Sequence, residues 1–136
     1  MPFAHELRVR YGECDPQGIV FNANYLLYFD IGVTELYREA LGSWQSMVER
    51  GVDVVVAEAN LRFRAPARFD DVIAVGAGVA SFGTTSVTLA MDIRRDGELL
   101  VEGRLRQVFV DARTWAKTEV PAWAREALAP FSSAAS

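Results

Sequence analysis

Helical periodicity occupies one long run of this chain and then gives way to strand patterning, which leaves few folds open. From Asn24 to Leu41 the apolar positions Tyr25, Leu26, Phe29, Val33, Leu36, Tyr37 and Ala40 recur at the spacing of one helix face, and Gly42 supplies the stop. Ser43 is placed to cap a short second helix, Trp44 to Arg50, which Gly51 ends. The segments 52–63, 72–82, 85–94 and 99–111 are then rich in β-branched residues or alternate, and "FGTT" and "RDGE" supply short turns between them. A further strand is expected over 6–12 and a terminal helix from Pro121 to Leu128.

Short turns imply antiparallel neighbours, so the pattern predicts an α+β layer arrangement, an antiparallel β-sheet with one long helix against it. Gly32 interrupts the helical run and costs about 1 kcal/mol relative to Ala unless something packs too closely for a methyl group; close helix–sheet packing is the expectation. No repeat or linker divides the 136 residues, which predicts one domain, 1–136, with a frayed tail from about 131 to 136.

Several chemistries are short of residues. The chain has a single Cys, Cys14, and a single His, His5, expected near a mobile N-terminus. A Ser-His-Asp or Cys-His mechanism has only His5 to recruit, and a zinc site has almost no nitrogen or sulfur ligands, so neither metal nor redox cofactor is expected. The nearest sequence to a dinucleotide loop, "GAGVAS" from Gly76, lacks the last small residue and runs into strand-like sequence. A net charge of -4 argues against binding nucleic acid or an anionic membrane, since both need a clustered positive field. No basic leader opens the chain and no apolar run approaches the roughly 20 residues of a spanning helix, so a cytoplasmic protein is expected.

The segment ahead of the helix, "YGECDPQGIVFNANY", sets a carboxylate beside Pro and Gly and two Asn at the helix entrance. On its own residues it has two readings. Asp15-Pro16-Gln17-Gly18 has the composition of an ordinary turn, and Asn22 or Asn24 that of a helix cap. Alternatively, Asp15 is a catalytic carboxylate next to unpaired helix amides.

The stretches "YGECDPQGIVFNANYLLYFD", "RFRAPARFDDVIAV" and "TTSVTLAMDIRRDGELLVEGRLRQVFVD" resemble the 4-hydroxybenzoyl-CoA thioesterase branch of the hotdog-fold acyl-CoA thioesterases. The resemblance runs over about residues 6 to 120, and the pattern D-x-x-G-[IV]-V-[FYW]-x-x-x-Y is its most specific part. It implies a sheet wrapped around one long central helix, protomers paired edge to edge as a homodimer, often doubled to a homotetramer, and active sites between protomers. The implied substrate is an acyl-CoA, small or medium, aliphatic or aromatic, with CoA as part of the substrate rather than a cofactor.

The same resemblance implies roles for individual residues. Asp15 is the nucleophile or general base, and its ordinary pKa of about 3.9 keeps it ionised at neutral pH without a His. The backbone amide of Asn22, with Ala23 nearby, is the oxyanion donor. Gly18 makes the bend, where a Cβ would either forbid the turn's dihedrals or block the thioester. Phe21, Ala23 and Tyr25 are candidate acyl contacts, with Phe29 a further one, although core packing is the default for the aromatics. Relatives carry basic residues for nucleotide phosphates after the third strand, where this chain has "FGTTS". Thr84, Thr85 and Ser86 are weaker substitutes there, with Arg62, Arg64, Arg68, Arg104 and Arg106 as candidate replacements. Glu58, Glu35 and Glu39 are second-choice acids, and Cys14 is expected to pack rather than react. Hydrolysis of acyl-carrier-protein thioesters and noncatalytic thioester binding remain alternatives, the first kept open by the Arg-rich strand faces.

Overall fold

The structure, a computed structural model, describes residues 1–133. Five antiparallel strands, β1 (Phe3–Arg8), β2 (Val52–Phe63), β3 (Val72–Phe82), β4 (Ser86–Arg95) and β5 (Glu98–Asp111), form one sheet in the order β1-β3-β4-β5-β2. Helix α1 (Asn24–Leu41) lies against it, followed by α2 (Trp44–Glu49), and α3 (Ala122–Leu128) comes after β5, leading into a 3-10 turn over Ala129–Phe131.

The buried face of α1 carries Tyr25, Tyr28, Phe29, Val33, Leu36 and Tyr37, at the helical spacing. Opposite it stand Ile73, Val75, Leu89, Met91, Ile93, Leu105 and Phe109, contributed by the three central strands. Phe29 and Leu36 are 0% exposed, and each such side chain contributes about 1.5–3 kcal/mol relative to standing in water. A Cβ placed on Gly32 would stand 2.5 Å from Cγ1 of Val75, so the glycine sits where helix and sheet approach too closely for a methyl group, as expected.

Both hairpin signals act as turns. Asp96 and Gly97 take positive φ, 50° and 83°, between β4 and β5, and Gly83 N–H donates to Ser86 O at 2.8 Å between β3 and β4. Ser43 Oγ accepts from Ser46 N–H at 3.0 Å, the expected cap of α2.

Three expectations need correction. The first strand spans Phe3–Arg8, not 6–12, because pairing starts at Phe3 opposite Ala77, and Tyr11–Glu13 instead makes a 3-10 turn closed by the Glu13 side chain on Arg10 N–H. His5 is therefore a sheet residue opposite Val75 and not part of a loose terminus. The expected tail is docked through Ser133: Phe131 packs edge-on against Phe3, and Ser133 N–H donates to Val79 O at 2.8 Å. The rest of that expected tail, 134–136, lies outside the described residues. No helix among the described residues is long and apolar enough to cross a membrane.

Candidate active site

The segment between β1 and α1 is a small hairpin laid over the helix entrance. Cys14 bridges Val20, Asp15 N–H donates to Ile19 O at 2.9 Å, and Gly18 N–H donates to Asp15 O at 2.9 Å. This is a three-residue hairpin loop closed by a left-handed residue, and Gly18, at φ 80°, is that residue. A Cβ on Gly18 would meet nothing within 4 Å, so of the two reasons for a glycine the dihedral is the one this protomer displays. One oxygen of Asp15, Oδ1, accepts from Gln17 N–H at 2.8 Å, which stiffens the turn, and the side chain is half-buried.

The amides of the next residues are distributed unevenly. Phe21 N–H donates to Glu13 O at 3.0 Å, Asn24 N–H to Phe21 O at 2.9 Å and Tyr25 N–H to Asn22 O at 3.3 Å. The amides of Asn22 and Ala23 have no acceptor among the described residues, and both residues are exposed. Neither asparagine side chain caps the helix, since Asn24 Nδ2 donates instead to Glu13 O at 2.8 Å. Two adjacent unpaired N–H groups at the positive end of an 18-residue helix are suited to a developing negative charge.

Beside this entrance is a cavity of about 260 Å³ lined by Ile19, Val20, Asn22, Tyr25, Phe63 and Arg64, with Ala65 and Pro66. Tyr25 is fixed there: its hydroxyl accepts from Ala67 N–H at 3.0 Å and its ring packs on Phe63 at 5.5 Å. Burial pushes that hydroxyl's pKa up, so it stays protonated. The loop after β2 is tied to the Asp15 hairpin through the Ile19–Arg68 bridge and Val20 N–H on Ala67 O. Arg95 anchors that loop in turn, donating to Asp71 at 2.6 Å and to Pro66 O at 3.3 Å.

The other predicted residues are dispersed. Phe21 is 53% exposed and does not line the cavity; Phe29 is in the core. Arg64 lines the cavity and pairs with Glu102 at 2.9 Å, and Arg68 flanks the hairpin, but Arg62 and Arg104 face the opposite side of the sheet. There they line a broader depression of about 630 Å³ together with Glu58, Asp92, Arg94 and Glu102. Ser86 pairs through Val108 with Val55, whereas Phe63 pairs with Val101, so Thr84–Ser86 and the cavity lie near opposite ends of the sheet. Eight residues of strand separate them, roughly 25 Å along it. Glu35 pairs with Arg38 at 3.0 Å and Glu39 is exposed, both away from the cavity. The Cys14 thiol is held up by burial, then by the Glu13, Asp15 and Asp71 carboxylates, which opposes the thiolate a nucleophile needs.

Sequence reading missed Glu13 and Phe63. Glu13 is 9% exposed, with Oε1 accepting from Tyr28 Oη and Arg10 N–H, each at 2.8 Å, and Oε2 from Arg10 Nε at 2.9 Å. Its available signal was a tyrosine on the buried helix face, whose hydroxyl must find a partner.

Residues 9–128 match the family model described as "Thioesterase-like superfamily". The acyl-CoA thioester hydrolase YbgC of Escherichia coli O6:H1 is 30% identical over 110 residues, covering 80% of this chain and 82% of that protein. The 4-hydroxybenzoyl-CoA thioesterase of Pseudomonas sp. strain CBS-3 is 29% identical over 125 residues, covering 85% and 89%. A solved structure of the hypothetical protein TT1821 from Thermus thermophilus superposes with a TM-score of 0.86 at 29% identity, covering 94% of this chain and 98% of that one.

Proposed function

Since this chain belongs to the thioesterase-like superfamily and has its hotdog fold, we propose that it hydrolyses the thioester of a small or medium acyl-CoA to the free acid and CoA. The observation that carries the reading is the pair of unpaired amides at Asn22 and Ala23, which follow the Asp15 hairpin, with Asn22 also lining the cavity beside Tyr25. A carbonyl oxygen directed at those amides gains hydrogen bonds as it becomes an oxyanion, and one such donor is worth about 3 kcal/mol in the transition state. The Asp15 carboxylate either attacks the carbonyl carbon, expelling the CoA thiolate and leaving an anhydride for water to open, or takes a proton from the attacking water. Both routes sum to thioester plus water giving the acid and the free thiol, with Asp15 regenerated as the carboxylate.

A dimer fits the open side of the cavity. Strand β2 is a sheet edge, and Phe63 and Arg64 at its end line the cavity, so a second copy paired along β2 would wall it. Antiparallel pairing would also carry the partner's Thr84, Thr85 and Ser86 from the far end of its sheet toward this one, which accounts for their distance from the cavity within a protomer. A homodimer, doubled to a homotetramer, is the assembly proposed.

The test is thiol release from acyl-CoAs of varied length, a benzoyl set and acyl-carrier-protein thioesters, by wild type and Asp15→Asn. The variant is informative because Asn keeps an oxygen to accept Gln17 N–H and so keeps the turn while losing the charge. We expect kcat to fall on the order of 10²–10⁴-fold with binding retained. Unchanged turnover would remove Asp15 from the mechanism, and release confined to carrier-bound thioesters would replace the CoA substrate.

A further inference from the structure

Glu13 is the most heavily used polar residue near the site, and nothing in the reaction proposed above employs it. Its carboxylate is shared between helix and strand exit, through Tyr28 Oη at 2.8 Å and the backbone and guanidinium of Arg10. Its carbonyl is shared between hairpin and helix, accepting Phe21 N–H at 3.0 Å and Asn24 Nδ2 at 2.8 Å. The bonds on the carbonyl have a consequence for the amides. With Phe21 N–H engaged on Glu13, and Asn24 and Tyr25 N–H engaged on Phe21 and Asn22, the amides left over are those of Asn22 and Ala23.

From this we infer that Glu13 is a positioning residue: anchored to Tyr28 and Arg10, it fixes where the Asp15 hairpin stands relative to the first turn of α1. The assignment rests on the hydrolase reading above. The carboxylate has little freedom, being 11% exposed at the side chain, and it stays ionised in place because the three donors outweigh the cost of burial. Losing one of these hydrogen bonds is expected to free the hinge between hairpin and helix. Misplacement of a reacting group by about 1 Å can cost 10²-fold in rate.

The experiment compares wild type, Glu13→Gln and Tyr28→Phe, with Asp15→Asn as the inactive reference, on one acyl-CoA that wild type hydrolyses. Each protein is assayed well below its own Tm, with the folded fraction checked by circular dichroism. Tyr28→Phe removes only the hydroxyl, so it serves where Glu13→Gln fails to fold. Expected is a fall in kcat of about 10- to 100-fold with KM within about threefold, since the cavity is untouched while the approach geometry is loosened. A purely structural Glu13 would lower Tm and leave kcat per folded molecule unchanged, which overturns the assignment while leaving Asp15 catalysis standing. Absence of turnover by wild type on every thioester overturns the hydrolase reading and this assignment with it.

Discussion

Burial alone would push the Glu13 carboxyl up, yet the Arg10 N–H, the Tyr28 hydroxyl and the Arg10 guanidinium together hold it below the ordinary glutamate range. A group depressed in the folded state contributes stability above its unfolded pKa, about 4.3, and loses it as pH falls through the folded value. Wild type is therefore expected to lose more unfolding free energy than Glu13→Gln between about pH 6 and about pH 3 in urea titrations. The neighbouring Cys14 thiol and Tyr28 hydroxyl, both with raised pKa values, are neutral across that window, so parallel curves would mean Glu13 titrates alike in both states. The hairpin residues Asp15 and Gly18 were legible in the sequence because turn chemistry is local: a Pro, a carboxylate and a glycine at fixed offsets. Glu13 was not, because a charged side chain is by default assigned to solvent, and Tyr28, the partner that ties it to the core, lies on another element.

Gly32 poses a contest between two effects within α1. Replacing it with Ala gains about 1 kcal/mol of helix propensity, but the new methyl would press on a stiff, β-branched Val75 at 2.5 Å, and overpacking costs about 1–3 kcal/mol. The clash is expected to win, so Gly32→Ala should lower stability by up to about 2 kcal/mol, and combined with Val75→Ala the two losses should sum to less than their separate values in a double-mutant cycle. Additive losses would show that the two positions do not meet. The span of α1 was readable because an amphipathic periodicity of five turns overrides local ambiguity. The first strand was not, since its loose alternation continues into a 3-10 turn that only Glu13's reach to Arg10 defines. Strand β2 hides a parity change in the same way. A bulge between Val56 and Glu58 leaves Val52 and Val54 inward before it and Leu61 and Phe63 toward the helix after it. Arg62 is thereby turned to the outer face, as the local alternation of "NLRFR" implies, but a parity carried forward from Val52 and Val54 would have turned it inward.

Across the whole molecule, the two sheet edges differ. At β1 three alternate side chains are half-buried, whereas five consecutive residues of β2, Val56 to Asn60, are exposed on both faces, Val56 at 47%, and Phe63 at the strand's end is 54% exposed. A long edge strand with no proline and an exposed apolar residue is a template for another strand, and here it ends at the cavity. Val56 is the position at which to test this, because it is outside the core of the protomer and outside the residues lining the cavity. Val56→Lys puts a charge on the pairing edge at little cost to the protomer, so the Tm of the isolated fold should hold while the self-association constant weakens by at least about tenfold. Sedimentation velocity is expected to show wild type as a dimer or larger and the variant shifting toward monomer on dilution. Turnover per protomer should fall in step with the dimer fraction if the cavity needs the second copy's wall. A wild type that stays monomeric at assay concentration yet turns over, or a monomeric variant with full turnover, would show that one protomer suffices and that β2 borders the site without completing it.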